Sequence, residues 1–427
     1  MDTNRRTAYH TLMDVETKNS YSNLALNHQI ICGKPSSPSF VRELVYGVLE
    51  NKLLLDYIIG HFATKGVNKI KTSDWVVLRM GIYQLGYMDS VPEYAAVNES
   101  VLLAKKFCRG REGFINGVLR SYIRDKDAVK LPDRSIDEIK YLSIQYSCAE
   151  WIVETWIDQY GAEATEEILM NSQGNPGLCI RVNTLKTGKE DLARRLNERD
   201  FEVKDSEICD VALQVIKGKG ILEDSLYKNG LFSVQDESSM KTVEILDPKP
   251  GETIIDVCAA PGGKTLAAAE RMSNRGQIIA TDIYLRKIAV INKEAGRLGI
   301  SIVKAQPGDA TKVDSELLEK ADRVIADVPC SGFGVIRRKP EIKYKKKISE
   351  FDLLPIKQLE ILTVASKYVK KGGILQYSTC TINKQENENV IKEFLRKNEN
   401  FSIVEERQFM PHMDHTDGFY VCKMVQK

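Results

Sequence analysis

Two cysteines stand where a parallel sheet would deliver them to a bound ligand. Cys330 lies in DVPCSGFGV, Asp327 to Val335, after the β-rich run 323–326. Cys380 lies in YSTCT, Tyr377 to Thr381, after the run 373–377. An open parallel α/β sheet binds its ligands beyond the carboxyl ends of its strands. A thiol there, beside helix N-termini and cationic side chains, can fall below its unperturbed pKa of ~8.5 and supply a nucleophilic thiolate. A single such cysteine is ordinarily inert packing, but two in matching positions point to chemistry.

A third loop, DVCAAPGGKT (Asp256 to Thr265), follows the run 253–257. Its small residues and Gly262–Gly263 let backbone N–H groups approach a ligand closely, and a helix N-terminus follows. Gly263, Lys264 and Thr265 match the end of a phosphate-binding Walker loop, but Cys258 occupies the position of its first glycine. A dinucleotide fingerprint is missing, and Pro261 removes an N–H that a pyrophosphate would use. A nucleoside without phosphates remains. Asp282, at the end of the second strand, can accept from a ribose diol, and Asp309, after the third, from an adenine amine. Two carboxylates and a glycine loop suit S-adenosylmethionine.

A methyl donor beside a cysteine nucleophile answers a specific difficulty. C5 of a pyrimidine is a poor nucleophile until a thiolate adds to C6 and leaves enamine character at C5. An acid at N3, for which Asp327 is suitably placed, offsets charge developing on the ring. A second thiol or a base must then remove the C5 proton so that the adduct can eliminate.

The positioning elements follow from periodicity. The fold class expected is α/β: a Rossmann-like, doubly wound domain over 241–427, preceded by an all-α domain over 1–130 and a small α+β domain over 131–240. Val41, Leu44, Val45, Val48 and Leu49 form one helical stripe, and helical patterns continue over 74–88, 92–106 and 111–124. Leu178, Ile180 and Val182 alternate as a half-buried strand does. Further strands are expected at 253–257, 277–281, 301–305, 323–326, 373–377, 401–404 and 419–424, and helices at 285–298, 352–369 and 387–397.

Length and composition bound the rest. The chain has 427 residues, 43% hydrophobic and 28% charged, enough for two to four globular units. With 61 basic against 59 acidic residues, bulk charge announces no polyanion. The basic run 337–347 (Arg337, Arg338, Lys339, Lys343, Lys345, Lys346 and Lys347 against Glu341) nevertheless follows the Cys330 loop and is expected to meet RNA phosphates. Nine scattered cysteines without a CxxC pair, and five histidines without HExxH, support neither a disulfide framework nor a metal site. The apolar runs are too short to span a membrane and MDTNRRTAYH lacks a signal sequence's apolar stretch, so the cytoplasm is the expected compartment.

CAAPGGK (258–264), DVPCSG (327–332) and STC (378–380) resemble the RNA cytosine-C5 methyltransferase family, in its bacterial Sun/RsmB branch. RVNTLK (181–186), VQDESSM (234–240), RRKPEIKY (337–344) and DGFY (417–420) extend the resemblance along the chain. RTAYHTLMDVE, FVRELVYGVLE and LRMGIYQLGYM are similar to the NusB-type helical RNA-binding domain of that branch. The resemblance implies Cys380 as covalent nucleophile and Cys330 as the thiol that assists release. It implies an S-adenosylmethionine site lined by Cys258, Ala259, Ala260, Pro261, Gly262, Gly263, Lys264, Asp282, Asp309 and Asp327, with Asp327 also facing the target base. The implied substrate is one unpaired or flipped cytosine of 16S rRNA. The protein itself is expected to be a monomer. Val328, Lys339 and Thr381 stand where the family usually has Ala, His and Ser, and none of these removes a reacting group. The same chemistry on tRNA, and a non-catalytic role in ribosome assembly, stay open at this point.

Overall fold

The structure is a computed structural model that describes residues 1–18, 20–63, 70–174, 176–345 and 351–427. The chain divides into two compact units, Met1–Gly174 with Ile336–Lys345, and Asn175–Val335 with Lys346–Lys427.

The first unit is helical. Its elements include Thr3–Thr17, Ser22–Gly33, Pro38–Glu50, Thr72–Tyr87, Glu93–Phe107 and Glu112–Asp125. The third of these shows how local chemistry starts a helix: Pro38 sits where its missing N–H costs nothing, and the Ser37 hydroxyl accepts from Phe40 N–H at 3.3 Å. The stripe Val41, Leu44, Val45, Val48 and Leu49 is buried throughout. Arg79, 7% exposed, ties the bundle together by donating to both carboxylate oxygens of Asp56 and to Glu16.

Residues 336–345 are packed into this helical unit, which corrects part of the expected RNA-binding run. Glu341 is buried and accepts from the backbone N–H and hydroxyl of Ser22 at 2.9 and 2.8 Å. Lys343 is 2% exposed and donates to the carbonyls of Glu50 and Tyr146 at 2.8 and 3.0 Å. A buried ammonium that satisfies two backbone oxygens is unavailable to phosphates. The Lys339 ammonium stands over the Tyr21 ring at 5.4 Å. Lys346 and Lys347 lie outside the described residues.

The second unit holds two sheets. The smaller is antiparallel, in the order β2-β3-β1-β4, with β1 Leu178–Val182, β2 Glu202–Asp205, β3 Ala212–Lys217 and β4 Phe232–Val234. β1 is not half-buried as its alternation suggests, because Cys179 and Arg181 on its other face are covered as well. Cys179 packs with Met240, and Arg181 donates to Glu270 at 2.8 and 3.0 Å and to the Gly263 carbonyl at 3.0 Å. An arginine that looks like the polar side of a strand is therefore a buried clamp.

The larger sheet runs β10-β11-β9-β8-β5-β6-β7, from β5 Thr253–Asp256, β6 Gln277–Asp282, β7 Val303–Pro307, β8 Ala321–Asp327, β9 Val369–Thr379, β10 Phe401–Phe409 and β11 Phe419–Gln426. β5 to β9 pair in parallel, and β9, β11 and β10 pair antiparallel. From β5 the chain winds outward through β6 and β7, then returns to place β8 on the other side of β5. Strand order thus reverses between β5 and β8, where such sheets open a ligand crevice. The expected doubly wound α/β domain is present.

Candidate active site

The loop after β5 is the expected cofactor cradle. Gly262 adopts φ +105°, a conformation in which a side chain would be strained, and starts the helix Gly263–Arg271. Its N–H donates to the Ala259 carbonyl at 2.7 Å, and Ala259 N–H donates to the Thr281 carbonyl at 2.9 Å, which joins the loop to β6. Behind it Asp256 is 1% exposed and accepts from the Thr265 hydroxyl at 2.7 Å. Burial, together with nearby Asp327, pushes the Asp256 carboxyl up to about 7 despite the Thr265 hydrogen bond. Burial also raises the Cys258 thiol, so that this cysteine lines the loop as an unreactive side chain.

Asp282 and Asp309 lie at the ends of adjacent strands, and Gly308 N–H donates to the Asp282 carbonyl at 3.1 Å. The Asp282 carboxylate accepts from Tyr284 N–H at 3.1 Å. Asp309 borders a cavity of about 370 Å³ with Val257, Thr281, Ala310 and Tyr368. The hydroxyl and N–H of Thr311 hold the Asp309 carboxyl below its usual range, as an acceptor. A glycine cradle, two acceptor carboxylates at neighbouring strand ends and a partly apolar cavity fit an adenosyl group with an amino-acid tail.

Across the switch point, β8 and β9 carry the groups expected to react. Asp327 pairs in register with Ser378, whose hydroxyl donates to its carboxylate at 2.8 Å. The other Asp327 oxygen accepts from Lys264 at 2.7 Å, and that ammonium also faces the Phe419 ring at 4.7 Å. Lys264 thus belongs to the cradle by sequence and to the acid by contact. Three residues beyond Asp327, the sulfur of Cys330 lies 3.1 Å from that of Cys380. The Cys330 thiol is raised well above its ordinary value, first by its hydrogen bond to Cys380 and then by burial, so it holds its proton.

Sequence reasoning missed the groups that support this arrangement. Glu386 is fully buried and accepts from Ser331 N–H at 2.8 Å, yet it lies in an aperiodic polar stretch that gave no signal. Gly334 and Gly418 approach backbone to backbone: Gly418 N–H donates to the Gly334 carbonyl at 2.8 Å, and a Cβ on Gly334 would fall onto the Gly418 carbonyl oxygen. Both glycines lie near noted motifs, so their presence was visible and their contact was not. Among the described residues, no group of three His, Cys, Asp or Glu side chains could hold a metal, and no helix is long and apolar enough to cross a membrane.

Known proteins are similar to this chain along nearly its whole length. A family described as "16S rRNA methyltransferase RsmB/F" matches residues 243–425, the NusB family matches 2–124, and an RsmF/B-like ferredoxin-like domain matches 148–221. A "Probable ribosomal RNA small subunit methyltransferase B" of Bacillus subtilis is 38% identical, with 99% of this chain and 98% of that protein covered. Its counterpart in Synechocystis is 34% identical, with 98% of each covered. A crystal structure of PH0851 superposes with a TM-score of 0.83 at 26% identity, covering 99% of this chain and 98% of the other. The chain belongs to the RsmB family of ribosomal RNA small subunit methyltransferases, whose cofactor is S-adenosylmethionine.

Proposed function

We propose that this protein methylates C5 of one unpaired or flipped cytosine in 16S rRNA, through a covalent bond between Cys380 and C6 of the base. The 3.1 Å approach of the Cys330 and Cys380 sulfurs carries the reading, because the reaction needs one thiol to attack and a second group to assist release. The family relatives favour small-subunit rRNA over tRNA, and the intact pair of thiols argues against a purely binding role. The reaction takes place in the cytoplasm.

The contacts support the following roles. Cys258 to Lys264, with Asp282 and Asp309, hold the cofactor. When bound, S-adenosylmethionine supplies a methyl group on a sulfonium, which accepts an electron pair from carbon. The Cys380 thiolate adds to C6, and the displaced π electrons are drawn toward N3. Asp327, oriented by Lys264 and Ser378, delivers a proton to N3 as that charge accumulates and takes it back as the ring electrons return and C5 forms its bond to the methyl carbon. Once the Cys380 sulfur is bonded to carbon, Cys330 no longer shares a hydrogen bond with a free thiol group. It gives its proton to solvent and, as a base, removes the C5 proton. The C5–H electrons rebuild the C5–C6 double bond while the C6–S bond breaks and returns the Cys380 thiolate.

RNA carrying 5-fluorocytosine at the target tests this reading, since fluorine cannot leave as a proton and the adduct persists. The expected result is a covalent species with the wild-type protein and none with Cys380→Ser. An undiminished adduct in that variant removes Cys380 from its role.

A further inference from the structure

The two cysteines come from loops at the ends of neighbouring strands, which are joined at Asp327–Ser378 and by Gly334 N–H, which donates to the Cys380 carbonyl at 3.1 Å. A buried polar cluster holds the Cys330 tip from behind. Glu386 is 0% exposed, and three N–H donors converge on its carboxylate. One oxygen accepts from Ser331 N–H at 2.8 Å and from the Gln358 amide at 2.9 Å. The other accepts from the Asn383 amide at 3.1 Å. The same Gln358 amide donates to the Pro329 carbonyl at 2.9 Å, so both residues that flank Cys330 are held from behind. The Cys380 side is held as well: the hydroxyls of Ser331 and Thr381 lie 2.7 Å apart, and the Tyr377 hydroxyl donates to the Glu386 carbonyl at 2.5 Å.

We propose that Glu386 is a positioning residue that keeps the Cys330 loop against the Cys380 loop, and that its loss separates attack from release. The inference rests on the cysteine-adduct reading. Buried N–H donors require acceptors, and only a carboxylate offers two oxygens here. An amide in its place turns an NH2 group toward a donor and leaves one contact unmet. Aspartate, one methylene shorter, does not reach from its own loop to both partners. Cys380 would still attack, because it is carried on the end of β9. Cys330 would lose its fixed distance to C5, and geometric errors of about 1 Å cost on the order of 10²-fold in rate.

The test uses the full-length chain with unmodified RNA and S-adenosylmethionine, comparing wild type, Glu386→Gln and Gln358→Met. The expected result for Glu386→Gln is at least a tenfold loss of turnover and accumulation of a protein–RNA adduct on denaturing gels. Binding of S-adenosylmethionine by calorimetry should stay within twofold of wild type. A merely structural role would lower turnover and cofactor binding together and leave no adduct. Gln358→Met keeps the side-chain volume and the Glu386 charge but removes the donor to Pro329 and Glu386. It should give the same pattern, and it decides the matter by the same readouts where Glu386→Gln fails to fold. Turnover within twofold of wild type in the folded variants, or lost turnover without adduct while cofactor binding persists, overturns the proposal. Failure of the wild type to be trapped by 5-fluorocytosine RNA overturns the adduct reading and this inference with it; trapping of the wild type with normal turnover of the variants overturns only the positioning role.

Discussion

The sulfurs of Cys330 and Cys380, 50 residues apart in the chain, lie 3.1 Å from one another, with a single hydrogen bond between them. Two sulfurs at this distance can both reach one pyrimidine ring, which the proposed reaction needs because it asks one group to attack and a second to assist release.

Cys330→Ala therefore separates the two halves of the reaction. Cys380 loses the neighbouring thiol but remains in place, so attack and methyl transfer proceed while release slows. On ordinary RNA the variant should accumulate a methylated adduct and lose at least about 10²-fold in steady-state turnover, within the range that acid–base assistance contributes. A denaturing gel and a methyl-transfer time course check this, and multiple rapid turnovers by the variant would remove Cys330 from release.

Asp256 should make the wild type less stable as the solution becomes less acid. Its carboxyl is raised from 3.8 to about 7 in the folded state, so between those values the folded chain binds a proton that the unfolded chain does not. Stability from this group is fully present below about 3.8 and is lost as pH rises through about 7, by up to roughly 4 kcal/mol. Asp256→Asn keeps an acceptor for Thr265 and cannot ionise. Urea unfolding from pH 5.5 to 8.5 should show a falling contribution in wild type that is absent from the variant; parallel profiles would sink the prediction.

The Arg181–Glu270 pair should be strongly destabilising when halved. Both side chains are almost fully buried, at 3% and 4% exposure. Arg181→Ala strands the Glu270 charge, at an expected cost of about 3–5 kcal/mol. Lysine should not rescue it, because a single ammonium cannot match two parallel bonds to one carboxylate. The double variant Arg181→Ala with Glu270→Ala should recover part of the loss, and a double-mutant cycle by denaturant unfolding measures how much.

Lys343→Met separates a buried lysine from a phosphate contact. A lysine on RNA contributes about one unit to the slope of log affinity against log salt. The buried Lys343 should contribute none, so the variant's slope for RNA binding should equal that of the wild type. A slope shallower by about one would show that this side chain reaches RNA.

The sequence by itself determined which chemistry was available and on which strand ends it would sit. Cys330, Cys380 and Asp327 follow runs whose apolar character marks buried strands, and Gly262–Gly263 and Asp282 follow two more, so a one-dimensional pattern located four edges of one crevice. The helix Leu285–Leu298 is likewise where its periodicity places it. What only the tertiary structure decided was every relationship between residues distant in the chain. The contact between two sulfurs, the Lys264–Asp327 pair, the Arg181 clamp and the burial of Glu386 and Lys343 depend on which strands and loops become neighbours. Periodicity reports the face a side chain occupies on its own element. It carries no information about a charged group whose partner lies on another, and those groups are buried only because that partner exists.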